Sequence, residues 1–244
     1  MKAIIPNWPA PKSVKAISTT RSGGVSVAPY HELNLGLHVG DNESDVKQNR
    51  ERLKQHCELV ESPAWLNQIH SADVIELDVA LSSVPDADGS FTRTPGLACA
   101  IMTADCLPVL FCNKQGSEVA AVHAGWRGLA SGVIENAVDK FDCTPDNIMA
   151  WLGPAIGPNA FEVGGEVREQ FIAVDANAEL AFKPHGDKWL ADLYLLAKQR
   201  LQRLGITEVY GGEYCTFSDE QQFYSYRRQS ITGRQASLVW LTEE

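Results

Sequence analysis

Two apolar runs, Leu107 to Cys112 and Val119 to Val122, flank a polar turn containing Gly116, and this pairing constrains the chain more than any other stretch. Runs of this length around a Gly-bearing turn have the pattern of two strands joined by a short loop. Asp105-Cys106 stands just before the first run and His123 just after the second, so two chemically capable side chains fall at neighbouring strand ends. The preceding run, Leu97 to Thr103, reads as a further buried strand, because unbroken apolar residues suit a strand covered on both faces.

The chain has 244 residues, 44% of them hydrophobic, enough for a substantial core, and the expectation is one domain over residues 1–244. No run of apolar residues is long enough to span a membrane, and the opening MKAIIPNWPAPK lacks a hydrophobic signal core, so the expected location is the cytoplasm. The six cysteines have no short paired spacing, which in a chain of this size reads as reduced thiols, mostly small core residues. A net charge of −10 disfavours nucleic acid or an anionic membrane as partner, since either requires a concentrated basic face. Local basic groups remain: Arg21 beside Gly23-Gly24, Arg127 four residues after His123, and Arg227-Arg228. Such arginines either converge on a small anion or stay solvated and surface-paired.

In chain order, Val14 to Thr20 reads as a strand followed by the flexible RSGGVS loop, and Ser44 to Cys57 as an amphipathic helix with Val46, Leu53 and Cys57 on one face. Ala64 to Ile69 and Val74 to Leu77 carry strand-forming residues, which puts His70 at a strand end. Val84 to Thr94, rich in Pro, Asp and Gly, reads as a loop. Ser131 is expected to cap a helix through Phe141; Met149 to Gly153 reads as a strand, and Pro154 to Pro158 as a rigid loop. Further helices are expected at Glu166 to Val174 and Trp189 to Leu204, the second ended by Gly205, with a last strand at Ala236 to Leu241.

His70, Cys106 and His123 are far apart in sequence, yet each falls at an expected strand end. Two imidazoles and one thiolate suit Zn²⁺, and three protein ligands leave a fourth position open, the arrangement of a catalytic zinc site. Such an ion lowers the pKa of bound water to about 7, which points to hydrolytic or deaminating chemistry. The same residues fit a metal-free reading, Cys106 as nucleophile with His123 as base. Core packing and simple hydrogen bonding account for such residue types as well.

The ordered motifs TTRSGGVS, LNLGLHVGD, WLNQIHSADV, MTADCLPVLF, VAAVHAGWRGLASGV, WLGPAIGPNAFEVG, YCTF and YSYRRQSITGRQASLVWL resemble the YfiH family, also called the laccase-domain or peptidoglycan-editing-factor family, from Thr19 to Leu241. The resemblance implies an α/β fold, a single-domain mixed β-sheet sandwiched by helices, similar to that of cytotoxic necrotizing factor deamidases. It implies a purine nucleoside enzyme that phosphorolyses adenosine, inosine, guanosine and methylthioadenosine and deaminates adenosine, with nucleosides and phosphate as its small-molecule partners. The family's zinc ligands fall on His70, Cys106 and His123, and its other motifs offer Arg21, Asn34, Arg127, Tyr226 and Arg227 for phosphate or nucleoside contacts. Cys106, His123, Asp105 and Arg127 are the catalytic candidates, Asp105 either orienting a ligand and moving protons or serving as a strand-end turn residue. Trp126 reads as a packing wall. Asp88-Gly89-Ser90 departs from the family pattern, where a more apolar residue often follows the Asp, and this weakens any role for Asp88.

The family's older label, polyphenol oxidase or laccase, meets a compositional obstacle: a four-copper enzyme needs many closely spaced imidazoles, and this chain has six histidines with no His-X-His. A single two-His, one-Cys site still accepts Cu²⁺, which binds such ligands more tightly than Zn²⁺. Amide hydrolysis on a cell-wall precursor, the peptidoglycan-editing role, is the alternative activity that a Cys/His pair supports.

Overall fold

The structure, a computed structural model, describes residues 1–243. In chain order its first elements are β1 (Ala3–Ile4), β2 (Val14–Thr19), α1 (Glu43–His56), β3 (Val74–Glu76), β4 (Gly89–Thr92), β5 (Ala98–Thr103), β6 (Leu107–Asn113) and β7 (Val119–Ala124). There follow α2 (Trp126–Ser131), α3 (Val133–Val138), β8 (Ile148–Leu152), β9 (Glu162–Val163), α4 (Gly165–Ile172), β10 (Phe182–His185), β11 (Lys188–Ala191), α5 (Leu193–Leu204), β12 (Glu208–Gly211) and β13 (Gln235–Leu241).

A six-stranded mixed sheet runs β12-β8-β6-β7-β4-β3, and a four-stranded antiparallel sheet runs β1-β2-β13-β5. Alternation within the strands shows how the two stack. On β6 and β7, Val109, Phe111, Ala120 and Val122 enter a core shared with Val133, Ile134, Leu196 and Leu201 of the helices. The intervening Leu110, Cys112, Val119 and Ala121 meet Cys99, Ile101, Val239 and Leu241 of the smaller sheet. The opposite face of that sheet, through Ala100, Met102, Leu238 and Trp240, packs on Leu53 of α1 and on Leu33, Leu35 and Trp65. The layers are therefore helices, sheet, sheet, helix. The mixed α/β architecture expected from the sequence is present, but two stacked sheets, not one, lie between the helices. Strands β5, β6, β7 and β13 lack polar alternation because each is covered on both faces.

Helix α1 begins where Asn42 accepts a hydrogen bond from the Ser44 N–H, with Glu43 and Asp45 in the first turn and Lys54 and His56 in the last, matching the helix dipole. Its buried residues are Val46, Asn49 and Leu53, so an asparagine completes the inner face where Cys57 was expected. Four assignments change. The helix expected from Ser131 to Phe141 is split: Gly132 takes φ 95°, ending α2 and starting α3, so Ser131 closes a helix and does not cap one. Trp189 belongs to β11, which pairs with β10 across the tight Gly186-Asp187 turn, and α5 starts only at Leu193, where Asp192 accepts from the Leu195 N–H. The Val84 to Thr94 loop contains β4, paired antiparallel to β7 and parallel to β3. Conversely, Ala64 and Asn67 make only isolated bridges, to Cys99 and Asp86.

All six cysteines are free thiols, as expected. Among the described residues, no helix is long and apolar enough to cross a membrane.

Candidate metal centre and its cavity

Antiparallel pairing of β6 and β7 sets Pro108 opposite His123 and Leu107 opposite Ala124, so Cys106 and His123 meet at one end of the hairpin despite their separation in sequence. Strand β4 flanks β7 with Gly89 opposite Val122, which delivers Asp88 to the same end, and β3 beside β4 brings in the preceding His70 loop. One ligand atom from each of His70, Cys106 and His123 lies within 4.8 Å of the others. The two imidazole rings meet edge to face, their centroids 4.8 Å apart.

Asp88, fully buried, organises this cluster. One carboxylate oxygen lies 2.8 Å from His123 Nδ1 and accepts from the His70 N–H, while the other accepts from the Ile69 and Ser71 N–H groups. The Asp88 carbonyl also accepts from the His123 N–H at 2.7 Å. A single residue thus holds both histidines, and because Nδ1 of His123 faces a carboxylate, Nε2 is left as its free ring nitrogen. Burial by itself would raise the Asp88 carboxyl, but His123 and the loop N–H groups outweigh it and hold it below the ordinary carboxylate range. The departure from the family pattern at Asp88-Gly89-Ser90 does not weaken Asp88; its partners become visible only once β4 pairs with β7. Gly89 is needed there, since a Cβ would stand 2.9 Å from Val122.

Cys106 is half-buried and His123 is 3% exposed. Burial would raise the thiol, but His123 and His70 overcome it and bring it down to about 6. Burial would likewise lower His123, yet Cys106 and Asp88 raise it to about 9. Each shift favours the charged form of its group, and the thiolate is the form that ligates metal. Gly125 leaves the room required: a Cβ there would lie 3.0 Å from Cys106 Sγ and 3.3 Å from a His70 ring carbon. Two borderline nitrogen donors, one thiolate, a carboxylate behind one imidazole and clear space beside the sulfur fit Zn²⁺ with an open position. His70 at φ 62° and Asp105 at φ 96° hold the left-handed backbone that non-glycine residues rarely adopt, and both border this centre.

The centre opens into a cavity of about 530 Å³. Arg127, Tyr226 and Arg227 line it as expected, with His38, Gln68, Thr103, Trp126, Phe161 and Arg234, which sequence reading did not single out for ligand contact. Arg127 lies over the Trp126 ring at 4.3 Å and Arg227 over Phe161 at 5.6 Å, so each guanidinium is backed by an aromatic face that also borders the cavity. Trp126 is half-buried at the wall. Asp105 accepts from Thr216 Oγ1 on one oxygen and from Ser225 Oγ and the Arg227 N–H on the other. It thereby ties the 216–227 segment to the start of β6.

Arg21 and Asn34 do not line this cavity. Arg21 donates to the carbonyls of His31 and Glu220 and lies over Tyr224, and Asn34 is fully buried between Gly36, Asp41 and Arg234. The Gly-rich stretches that carry them build scaffold. Arg234 was missed because it sits alone after a glycine with no basic neighbour in sequence.

A mixed α/β fold carrying an open His-Cys-His centre at its strand ends, inside an arginine-lined cavity, defines the class. The family described as "Multi-copper polyphenol oxidoreductase laccase" matches residues 15–242. "Purine nucleoside phosphorylase YfiH" of Escherichia coli (strain K12) is 57% identical over 240 residues, 98% of this chain and 99% of that protein. "Purine nucleoside phosphorylase PA4543" of Pseudomonas aeruginosa is 55% identical over 242 residues, 98% of each chain. The crystal structure of Neisseria meningitidis NMB0706, a DUF152 protein, superposes with a TM-score of 0.96 at 50% identity, covering 100% of both chains. The chain belongs to this laccase-domain family, the YfiH family.

Proposed function

We propose that the protein is a metal-dependent purine nucleoside enzyme of the cytoplasm, phosphorolysing adenosine, inosine, guanosine and methylthioadenosine and deaminating adenosine. The observation that carries this reading is the His70, Cys106 and His123 cluster opening into a cavity with both arginines and aromatic faces, in a chain 57% identical to a protein named a purine nucleoside phosphorylase. His70, Cys106 and His123 hold the ion, Zn²⁺ being the assignment that the donor set favours and Cu²⁺ the competitor. When bound, the ion supplies Lewis acidity beside the substrate. Asp88 orients His123 and so fixes the direction of that acidity. Trp126, Phe161 and Tyr226 offer flat faces to a purine, and Arg127 and Arg227 bring positive charge to it and to phosphate. Asp105, with both oxygens engaged, positions the Arg227 backbone. The ties between Asp105 and residues 216–227 support action as one domain over residues 1–244.

A second reading rests on one specific observation: Asp88, His123 and Cys106 stand as orienter, base and thiolate, the geometry of a cysteine amidohydrolase. Release of an amino acid from a muramyl cell-wall precursor is the reaction of that class. Product analysis separates the two. Adenosine with phosphate is expected to yield adenine and ribose 1-phosphate, with some inosine; amino acid release from the precursor with nucleosides untouched overturns the nucleoside reading.

A further inference from the structure

One wall of the cavity is formed where β5 ends and β13 begins, with Thr103 opposite Gln235 in the ladder and Arg234 immediately before it. Thr103 is 2% exposed, lines the cavity, and its hydroxyl has no hydrogen-bond partner among the described residues. A buried hydroxyl without a partner is destabilising, and a ligand atom at that place would satisfy it.

Arg234 adjoins it and is held with little freedom. Its backbone N–H donates to Asn34 Oδ1 at 2.9 Å, and its stem passes Gly36 so closely that a Cβ there would lie 2.9 Å away. Only Nη1 is spent within the protein, on the carbonyls of Thr232 and Gly233, which leaves Nε–H and Nη2–H unclaimed. These are neighbouring donors on one edge of the planar guanidinium, the edge that grips two oxygens of an anion at once. Arg127 is exposed and held by stacking over Trp126, and Arg227 is partly engaged by the Glu162 carbonyl, so neither is as fixed by hydrogen bonds as Arg234. Three arginines line the cavity against one carboxylate, Asp105, whose oxygens are already engaged, and the Cys106 thiolate. In a chain of net charge −10 this is a local reversal of sign.

We infer that Arg234 and Thr103 form the seat of the phosphate co-substrate, Nε–H and Nη2–H gripping two oxygens while the Thr103 hydroxyl donates to a third. The inference rests on the phosphorolytic reading and assigns the phosphate to a wall that neither Arg21 nor Asn34 reaches. Tyr226 lies against Arg234, so the purine is left to the Trp126 and Phe161 faces.

The test uses zinc-loaded protein, with zinc content and thermal stability measured for every variant. Inorganic phosphate binding is followed by calorimetry, and KM is determined separately for phosphate and for adenosine. Arg234→Gln is expected to weaken phosphate binding and raise its KM at least about tenfold, the loss of a charge-assisted pair, while the adenosine KM stays within about twofold. Arg234→Lys recovers only part of this, because an ammonium lacks the fork. Thr103→Val raises the phosphate KM about threefold to tenfold and Thr103→Ser restores it, a pair that decides the matter should Arg234→Gln fail to fold. An unchanged phosphate KM in zinc-replete Arg234→Gln, or a wild type that binds no phosphate, overturns the seat. Phosphate binding that Arg234→Gln abolishes, in a protein that cleaves no nucleoside, leaves the seat standing and removes the phosphorolytic reading.

Discussion

Two buried polar networks sit a few residues apart, and they differ in one respect. Around Asn34 every side-chain group is matched. Its amide donates to Asp41 and the Gly36 carbonyl and accepts from the Gly36 and Arg234 N–H groups, while Asn49 joins Ser26, Glu32 and the Asn34 carbonyl. Around His123 the second network is matched on its inner side, at Asp88, and faces the cavity on its outer side, where Cys106 meets the two imidazoles and where, among the described residues, the Thr103 hydroxyl and two Arg234 N–H groups have no partner. Saturated polar groups make scaffold. Groups left unsaturated and facing a cavity make a site, because only a ligand can repay their desolvation.

The strongest way to break the contrast is at the open side. Cys106→Ala is expected to lose bound zinc and nucleoside turnover together, by more than the ~100-fold that loss of a residue hydrogen-bonded to a ligand costs, as read by metal analysis and a phosphorolysis assay. Retained zinc with no activity would transfer Cys106 from ligand to nucleophile.

Asp88→Asn attacks the inner side. It places an NH₂ among donors that all require an acceptor, and zinc affinity and turnover are expected to fall ~10–100-fold in chelator competition and kinetic assays. The wild-type carboxyl is held low, so its contribution to stability is present above the unfolded-state value and lost as pH falls through the folded one. Asp88→Asn should lack that acid-side loss, which denaturant melts at pH 7 and at about pH 2, below the ordinary carboxylate range, would reveal.

Asn34→Ala probes the closed network. The Gly36 and Arg234 N–H groups and Asp41 lose their partner, and stability is expected to drop by ~1–3 kcal/mol in urea titration with zinc content unchanged. A loss of zinc without a loss of stability would contradict the scaffold assignment.

The smallest effect sharpens the open side further. In the metal-free protein Cys106 should be alkylated by iodoacetamide at neutral pH, with a rate that holds above about 6 and falls as the thiolate protonates below it, roughly tenfold per pH unit. Cys57, Cys99 and Cys112, pushed by burial up to about 12, should stay unlabelled in the same peptide map, and added zinc should protect Cys106.

Local patterns carried some of this and not the rest. The β6–β7 hairpin was legible because both strands are unbroken apolar runs around Gly116, and α1 because Val46 and Leu53 recur at helical spacing. Strand β4 was hidden in a stretch rich in Pro, Asp and Gly, since Gly89-Ser90-Phe91-Thr92 becomes a strand through its ladder with β7 and not by propensity. The split at Gly132 and the β10–β11 hairpin were signalled by Gly132 and by Gly186-Asp187, but helical spacing ran across Gly132 and took in Trp189 to Ala191 of β11.

By itself the sequence determined the strand pair, the chemical candidates at its ends, and, through its ordered motifs, the family and the identity of His70, Cys106 and His123 as a set. Tertiary structure alone decided the stacking of two sheets, the role of Asp88, the separation of Arg21 and Asn34 from the cavity, and the arrival of Arg234 and Thr103 in it. The reason is physical: a side chain's type is local, but whether its hydrogen-bonding capacity is filled depends on which strands become neighbours, and those contacts link residues more than a hundred positions apart, as Asp105 and Ser225 do.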